Sequence, residues 1–482
     1  MLNRLLFRNA LILISVNVII KPLYTLLIEP AVQQRIGMAD YGRYAALLNI
    51  TLIASVLLDL GITGWNTVQT AKARGISSTL HYKVLRIKGV LSIAYALAVV
   101  MVVYLMGYNR QDIVVVLVLC FTQICSSFIL FIRSYTSGTL SFRDDRLLSV
   151  LDKVLLFVIM AFIIWGPFGI FHPLTLHVFI IFQFLTSLAV LLIGLLLIRK
   201  YKHESVNSIT YSQLLISAFP FGVLFLSNIM MLRTDTIMLD FIRGPEEAGR
   251  YMMSYRFFEA IVMIAYLMSN ILVPSFARYY NDKFLLARVF NSGFRTAVSF
   301  FLIIISSFLL MRSEIMELVY GSIGSDQLVV FSLMTISSFF FALQYVTGSF
   351  LTSIEKLKYL ISISIAGLLL NVVLNYFLIP QYGSLGAAFS SLITQALVLL
   401  LQYYFVIRFL RDKPTIQTCI LSAVITIGIS FAIYFSMSFE FSGIYRVLIN
   451  FGTMMGVLLI LYRMKMLDLF FIRNSINGKE NG

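Results

Sequence analysis

The sequence predicts an all-α polytopic membrane protein. It would have about fourteen transmembrane helices, set out as two six-helix lobes (a parallel pseudo-repeat) plus two extra C-terminal helices. Three observations predict this. First, 60% of the 482 residues are hydrophobic and only 12% are charged, with a mean hydropathy of +0.92. Soluble domains carry about twice that charge, so the solvent for this surface is a bilayer. Second, the apolar residues fall in unbroken runs rather than alternating, which fits helices and not barrel strands. Third, "GMADYGRYAAL" at residues 37–47 returns as "GPEEAGRYMMS" at residues 244–254.

A spanning helix needs about 20 mostly apolar residues. Such stretches lie at 9–29, 42–64, 89–107, 112–132, 148–166, 174–198, 212–236, 250–273, 294–311, 327–352, 359–379, 384–407, 416–437 and 443–462. The first lacks a small-residue cleavage site, so it is kept as span 1. Basic residues orient the set. With the N-terminus in the cytoplasm, 27 of the 37 Lys and Arg residues fall on the inner side, 8 on the outer side and 2 inside spans. Lys72, Arg74, Lys83, Arg86, Lys88, Lys202 and Lys413 are among the inner ones. Both termini are therefore expected in the cytoplasm.

The repeated stretch fits this topology. Gly37, Gly42, Arg43 and Tyr44 recur as Gly244, Gly249, Arg250 and Tyr251, and Asp40 recurs as Glu247. Both copies open an even-numbered span at its outer end, and a basic inner segment follows each, at 65–88 and 275–295. The chain therefore divides into a lobe of spans 1–6 (residues 1–206), a lobe of spans 7–12 (207–413), and spans 13–14 with a cytoplasmic tail (414–482). Locally, glycine closes the turn, the acid suits a helix N-terminus, and tyrosine suits the interfacial belt.

Several chemistries find no support. The +15 net charge sits in short clusters between apolar runs, so it orients the chain and does not point to nucleic acid. Cys120, Cys125 and Cys419 lie in apolar runs and form no CxxC pair, so no metal site is indicated. There is no GxxxxGK[ST], HExxH or GxSxG. The chain reads as a non-enzyme without cofactors. Two duplicated six-span halves suit an alternating-access transporter.

Charges inside spans are costly and mark function or a partner. Lys21 lies mid-span beside Pro22, a candidate hinge. Asp59 lies toward the inner end of span 2. Asp152 and Lys153 open span 5 near the inner surface, shallow enough to be structural. Arg233 and Asp235 sit near the outer end of span 7. Arg256 and Glu259 are spaced i, i+3 in span 8 and so share a face. Lys21, Arg233 and Arg256 are the candidate substrate-binding cations, suited to phosphate or pyrophosphate. Asp59, Asp235 and Glu259 are candidates for ion coupling or for charge pairing alone.

The stretches "FPFGVLFLSNIMMLRTDTIMLDFI" (219–242), "EEAGRYMMSYRFFEAIVMI" (246–264), "SFRDDRLLSVLDKVL" (141–155), "VTGSFLTSIEKLKYL" (346–360) and "PQYGSLGAAFSSLITQ" (380–395) carry a resemblance. They are similar to the O-antigen and capsule flippases (Wzx type) of the multidrug/oligosaccharidyl-lipid/polysaccharide (MOP) exporter superfamily. The resemblance implies a bacterial inner-membrane protein that moves an undecaprenyl-pyrophosphate-linked oligosaccharide between leaflets. It implies basic residues of spans 1, 7 and 8 in the substrate cavity, matched here by Lys21, Arg233 and Arg256. Implied partners are the lipid-linked oligosaccharide, membrane lipids and assembly proteins such as a polysaccharide polymerase. The alternatives are a multidrug antiporter of the same superfamily and a membrane polysaccharide polymerase.

Overall fold

A computed structural model describes residues 17, 20–63, 66, 76–138, 142–166, 174–198, 203–204, 210–321, 323–410, 452 and 456. The expected spans 13 and 14 therefore lie outside the described residues, apart from Gly452 and Gly456. Among the described residues the chain is helical, save for a two-residue parallel pairing of Ile76–Ser77 with His203–Glu204. Ten of these helices are long and apolar enough to cross a membrane.

In chain order, a π-helical turn (Tyr24–Ile28) runs into α1 (Glu29–Ile36), followed by α2 (Met38–Ala54), α3 (Ser78–Leu105), α4 (Arg110–Gly138), α5 (Phe142–Trp165) and α6 (Leu176–Ile198). Next come α7 (Tyr211–Arg243), α8 (Pro245–Arg278), α9 (Lys283–Leu310) and the short α10 (Arg312–Tyr320). The last are α11 (Ser325–Ser353), α12 (Leu357–Tyr382) and α13 (Ser384–Leu410). Thr210 starts α7 with a reciprocal capping box to Gln213, and Asp282 starts α9 by accepting from the Leu285 amide.

Contacts divide the chain into two compact units, residues 4–249 and 250–482. In the first, α7 packs along α2, and Leu214 and Ala218 join a core with Ile62, Val84, Ile129, Phe131, Leu148 and Val190. Packing thus groups α7 with the six helices before it, whereas the sequence leads one to expect a lobe boundary at residue 207. In the second unit, α11 and α13 share a polar seam. Gln344 donates to the Gln395 carbonyl at 2.9 Å, and Thr347 donates to Gln402 at 2.6 Å. In lipid such bonds contribute about 0.6 kcal/mol each, and they fix which faces meet.

The span read at 42–64 is not one continuous helix. After α2 the chain tightens into a 3-10 turn (Ser55–Leu58) and then breaks, with Leu60 at φ +45° and Gly61 at φ +85°. The left-handed conformation costs a non-glycine residue on the order of 1–2 kcal/mol, so neighbours must hold it. Gly222 of α7 does so: a Cβ there would lie 3.0 Å from the Leu60 carbonyl carbon. The carboxylate of Asp59 accepts from the Thr63 amide at 3.1 Å, giving the resumed helix a cap.

The repeated stretch is a matched pair of turns. Gly37 (φ +101°) and Gly244 (φ +95°) each bond back to the carbonyl four residues earlier, Gln33 and Asp240. Asp40 and Glu247 lie in the first turns that follow. The tyrosines are not in an interfacial belt as expected. Tyr44 and Tyr251 are fully buried; Tyr44 hydroxyl and Gln183 hydrogen-bond each other, and Tyr251 stacks on Tyr255. A phenol with a partner inside gains by leaving the interface.

Candidate functional site

Helix 1 supplies the first feature. Pro22 lacks an N–H, and the chain passes from Lys21–Leu23 directly into the π-helical turn Tyr24–Ile28. Such bulges widen the helix locally and recur at functional positions. Asn17 donates to Ser149 at 3.1 Å, tying this helix to α5. Lys21 is half-buried, and no hydrogen bond or ion pair of its ammonium falls among the described residues.

Its surroundings are charged. Arg133, Asp152, Lys153 and Asp145 all act on Lys21 electrostatically. Arg133 of α4 is bound to the buried Asp145 of α5 at 2.8 Å. Lys153 lies 3.6 Å from Asp152 and 5.1 Å from the centre of the Tyr24 ring. The acids are thus engaged by other cations, and the group of five carries one net positive charge. An anion with several oxygens suits such a place, because Lys21 can meet it while Arg133 and Lys153 keep their carboxylates.

The second feature belongs to the second unit. Arg256 and Glu259 of α8 form an ion pair at 3.0 Å, with side chains 7% and 19% exposed. They stand in an aromatic setting, with Tyr255 stacked on Phe258 and Phe258 tilted against Phe341. Gln327 of α11 donates to Ser254 and to the Arg250 carbonyl, both at 2.9 Å. A guanidinium carries five donors in a planar fork, a shape that suits an oxyanion.

The remaining sequence candidates lie in the first unit. Arg233 is half-buried and Asp235 is buried, both on α7. Asp59 lies at the break after α2, where Lys88 of α3 meets it at 2.7 Å. Lys88 also donates to the Leu58 carbonyl at 3.2 Å and to Ser127 at 2.8 Å. Its three protons therefore have three acceptors. The sequence placed Lys88 in the inner basic loop, yet its side chain is 1% exposed. An apolar stem lets a lysine at a span edge turn inward when a carboxylate waits there.

Three further groups escaped the sequence reading. Arg133 looked like another inner-surface charge. Glu29, 6% exposed, accepts a hydrogen bond from Tyr41; an acid placed directly before Pro30 at the end of an apolar run was the available signal. Arg43 binds Asp240 at 3.1 Å, and Tyr108 donates to the same carboxylate oxygen at 2.6 Å. Burial raises the Tyr108 phenol above its ordinary range, so it remains a donor. Among the described residues no cluster of His, Cys, Asp and Glu could hold a metal ion.

Comparison with known proteins bears on the whole chain. Residues 6–280 match the family described as polysaccharide biosynthesis protein. No curated protein matches. The structure is similar to that of the lipid II flippase MurJ in an inward closed conformation, with a TM-score of 0.71 at 14% identity over 94% of this chain and 99% of that one. It is also similar to a MATE transporter in a bent conformation, with a TM-score of 0.59 at 13% identity over 85% of this chain and 98% of that one. A MOP superfamily transporter from Pyrococcus furiosus, described as having a binding pocket of reversed polarity, gives 0.59 at 13% identity over 85% and 97%. The chain belongs to the polysaccharide biosynthesis protein family and has the fold of the MOP superfamily transporters.

Proposed function

We propose that this protein is an alternating-access flippase for an undecaprenyl-pyrophosphate-linked oligosaccharide, a repeat unit of O-antigen, capsule or exopolysaccharide. It works in the bacterial inner membrane with both termini in the cytoplasm. The observation that carries this reading is Lys21, a half-buried cation of span 1 with no bonded partner among the described residues, beside two further cations whose own acids are engaged. A pyrophosphate spreads its charge over several oxygens and so can bridge such a group. Arg256 of α8 and Arg233 of α7 are further candidate anion-binding cations. Asp235, Asp59 and Glu259 are the acids available for coupling an ion to the cycle. The net positive charge of this group disfavours the alternative of a cationic-drug antiporter, since like charges repel strongly away from water.

The test exchanges charge against shape at one residue. Lys21→Arg keeps export of surface polysaccharide, and Lys21→Met abolishes it while the protein remains at normal abundance in the membrane. In the Lys21→Met strain, lipid-linked repeat units accumulate on the cytoplasmic leaflet. Normal export by Lys21→Met would reject the role, because methionine should suit lipid better than lysine does.

A further inference from the structure

A line of aromatic rings runs through the second unit and opens at its inner end. Tyr255 stacks on Phe258 of α8, Phe258 tilts against Phe341 of α11, and Phe341 meets Tyr345 with ring centres 5.6 Å apart. Tyr345 then meets Tyr266 of α8 edge to face at 6.0 Å. Phe258 and Phe341 are buried, whereas Tyr345 is half-buried and Tyr266 is 52% exposed. Rings packed in series hold the last pair in place before any ligand arrives.

Tyr266 is set deeper than a tyrosine that anchors at the membrane surface. The helix α8 runs from Pro245 to Arg278, so Tyr266 lies about 7 Å inward of its middle, short of the interfacial belt. Its face of the helix identifies the surroundings. Glu259, Met263 and Tyr266 follow at i, i+4 and i+7 and so share one side of α8. Glu259 is ion-paired with Arg256 on that side. A carboxylate turns to protein or water and not to hydrocarbon, and an exposed phenol beside it therefore meets water. On α11, Tyr345, Gly348 and Thr352 likewise share a half-buried face. Among the described residues, a Cβ on Gly348 would meet only the Leu360 side chain, at 3.8 Å. Open space thus lies one turn from the Tyr345 ring.

A wet pair of tyrosines matches one class of ligand. The axial-hydrogen face of a pyranose is apolar and packs on an aromatic ring, while its hydroxyls require polar partners at the rim. A phenol supplies both in one side chain. Arg256 precedes Tyr266 by ten residues, roughly 15 Å along the helix. An anionic head group at Arg256 would leave the sugars behind it alongside the tyrosines.

We propose that Tyr266 and Tyr345 form a saccharide subsite of the second unit, on which pyranose rings of the lipid-linked oligosaccharide stack. The inference rests on the flippase reading above. A pyrophosphate is common to the loaded carrier lipid and the spent one, so cations alone do not tell them apart. The tyrosines make the protein favour the lipid that carries sugar.

The experiment compares two lipids on the purified full-length protein in detergent, by isothermal titration calorimetry. One is the lipid-linked repeat unit extracted from cells deleted for this protein. The other is undecaprenyl pyrophosphate without sugar. The native protein binds the sugar-bearing lipid about tenfold more tightly, the preference that ring stacking supplies. Tyr266→Leu removes most of that preference and leaves affinity for undecaprenyl pyrophosphate as it was. Tyr266→Phe keeps the ring and retains the larger part. Gly348→Leu fills open space instead of removing a packed ring, and it lowers the preference in the same way. It decides the matter where Tyr266→Leu does not accumulate. A preference unchanged in Tyr266→Leu, or in Gly348→Leu standing in for it, overturns the subsite and leaves the flippase reading in place. So does equal native affinity for the two lipids. An equal loss for both lipids in Tyr266→Leu gives the ring a structural role and also overturns the subsite. Native protein that binds neither lipid overturns the flippase reading, and the subsite with it.

Discussion

At the scale of single residues, the most consequential pair is Arg256 with Glu259. The side chains are 7% and 19% exposed and 3.0 Å apart, and the pair stands in an aromatic setting. Removing one partner of a buried pair costs about 3–5 kcal/mol, because the survivor keeps its charge without compensation. Arg256→Ala should therefore abolish export. Arg256→Lys should restore it only in part, since a planar fork becomes a point charge. Measured beside membrane abundance, full export by Arg256→Ala would remove the residue from the mechanism. Why some of these residues were legible in the sequence and others not follows from position. Lys21, Arg256 and Glu259 interrupt apolar runs, so their cost shows in one dimension. Lys88, Arg133 and Arg43 stand at span edges, where a basic residue ordinarily faces water or headgroups. Only the partners, Asp59, Asp145 and Asp240, reveal that they turn inward, and all of these lie at least a dozen residues away in sequence.

Among the elements, the broken end of α2 shows how a local sequence can mislead and a distant residue correct it. The apolar run through residue 64 reads as one span, and the chain does resume as helix at Ile62. Asp59 and Gly61 are weak helix formers in sequence, but neither forces a break alone. What stabilises the break is tertiary. Lys88 reaches from α3 to the Leu58 carbonyl, which lies in the last turn before the break, and to Asp59, while Gly222 leaves room for Leu60. Lys88→Met should then destabilise more than Asp59→Asn, because it strands a carboxylate, whereas the amide keeps a polar partner for the lysine. Combining Lys88→Met with Asp59→Asn should recover stability relative to Lys88→Met alone, since no charge is left behind. Thermal unfolding midpoints of the purified protein in detergent would show this order. A double variant no more stable than Lys88→Met would mean that the pair does not hold the break.

For the whole molecule, the helical class and ten spans among the described residues match what the sequence predicts. Helix against strand, and the positions of the spans, follow from runs of apolar residues near bilayer length, a property of each segment by itself. Packing does not follow in that way: α7 begins the lobe expected from the sequence at residue 207, yet it lies along α2 in the first compact unit. Orientation stands between the two, since it depends on the sum of the loops. With 27 basic residues assigned inside and 8 outside, the bias exceeds threefold, and the alternation of basic and non-basic loops breaks if one span is miscounted. Reporter fusions at Lys202 and Lys413 should therefore read cytoplasmic, and fusions near Gly169 and Gly324 periplasmic. These four positions probe different errors. Lys202 follows span 6, so a periplasmic reading there means an odd number of crossings in the first half and ends the parallel repeat. Lys413 follows span 12, so a periplasmic reading there alone places the error in the second half, and α10 or α7 becomes the segment to re-examine. If all four readings invert together, the count survives and the orientation fails. Lys21 would then lie in the same span but nearer the opposite face, and the pyrophosphate would have to enter from the side on which no cytoplasmic synthesis could load it.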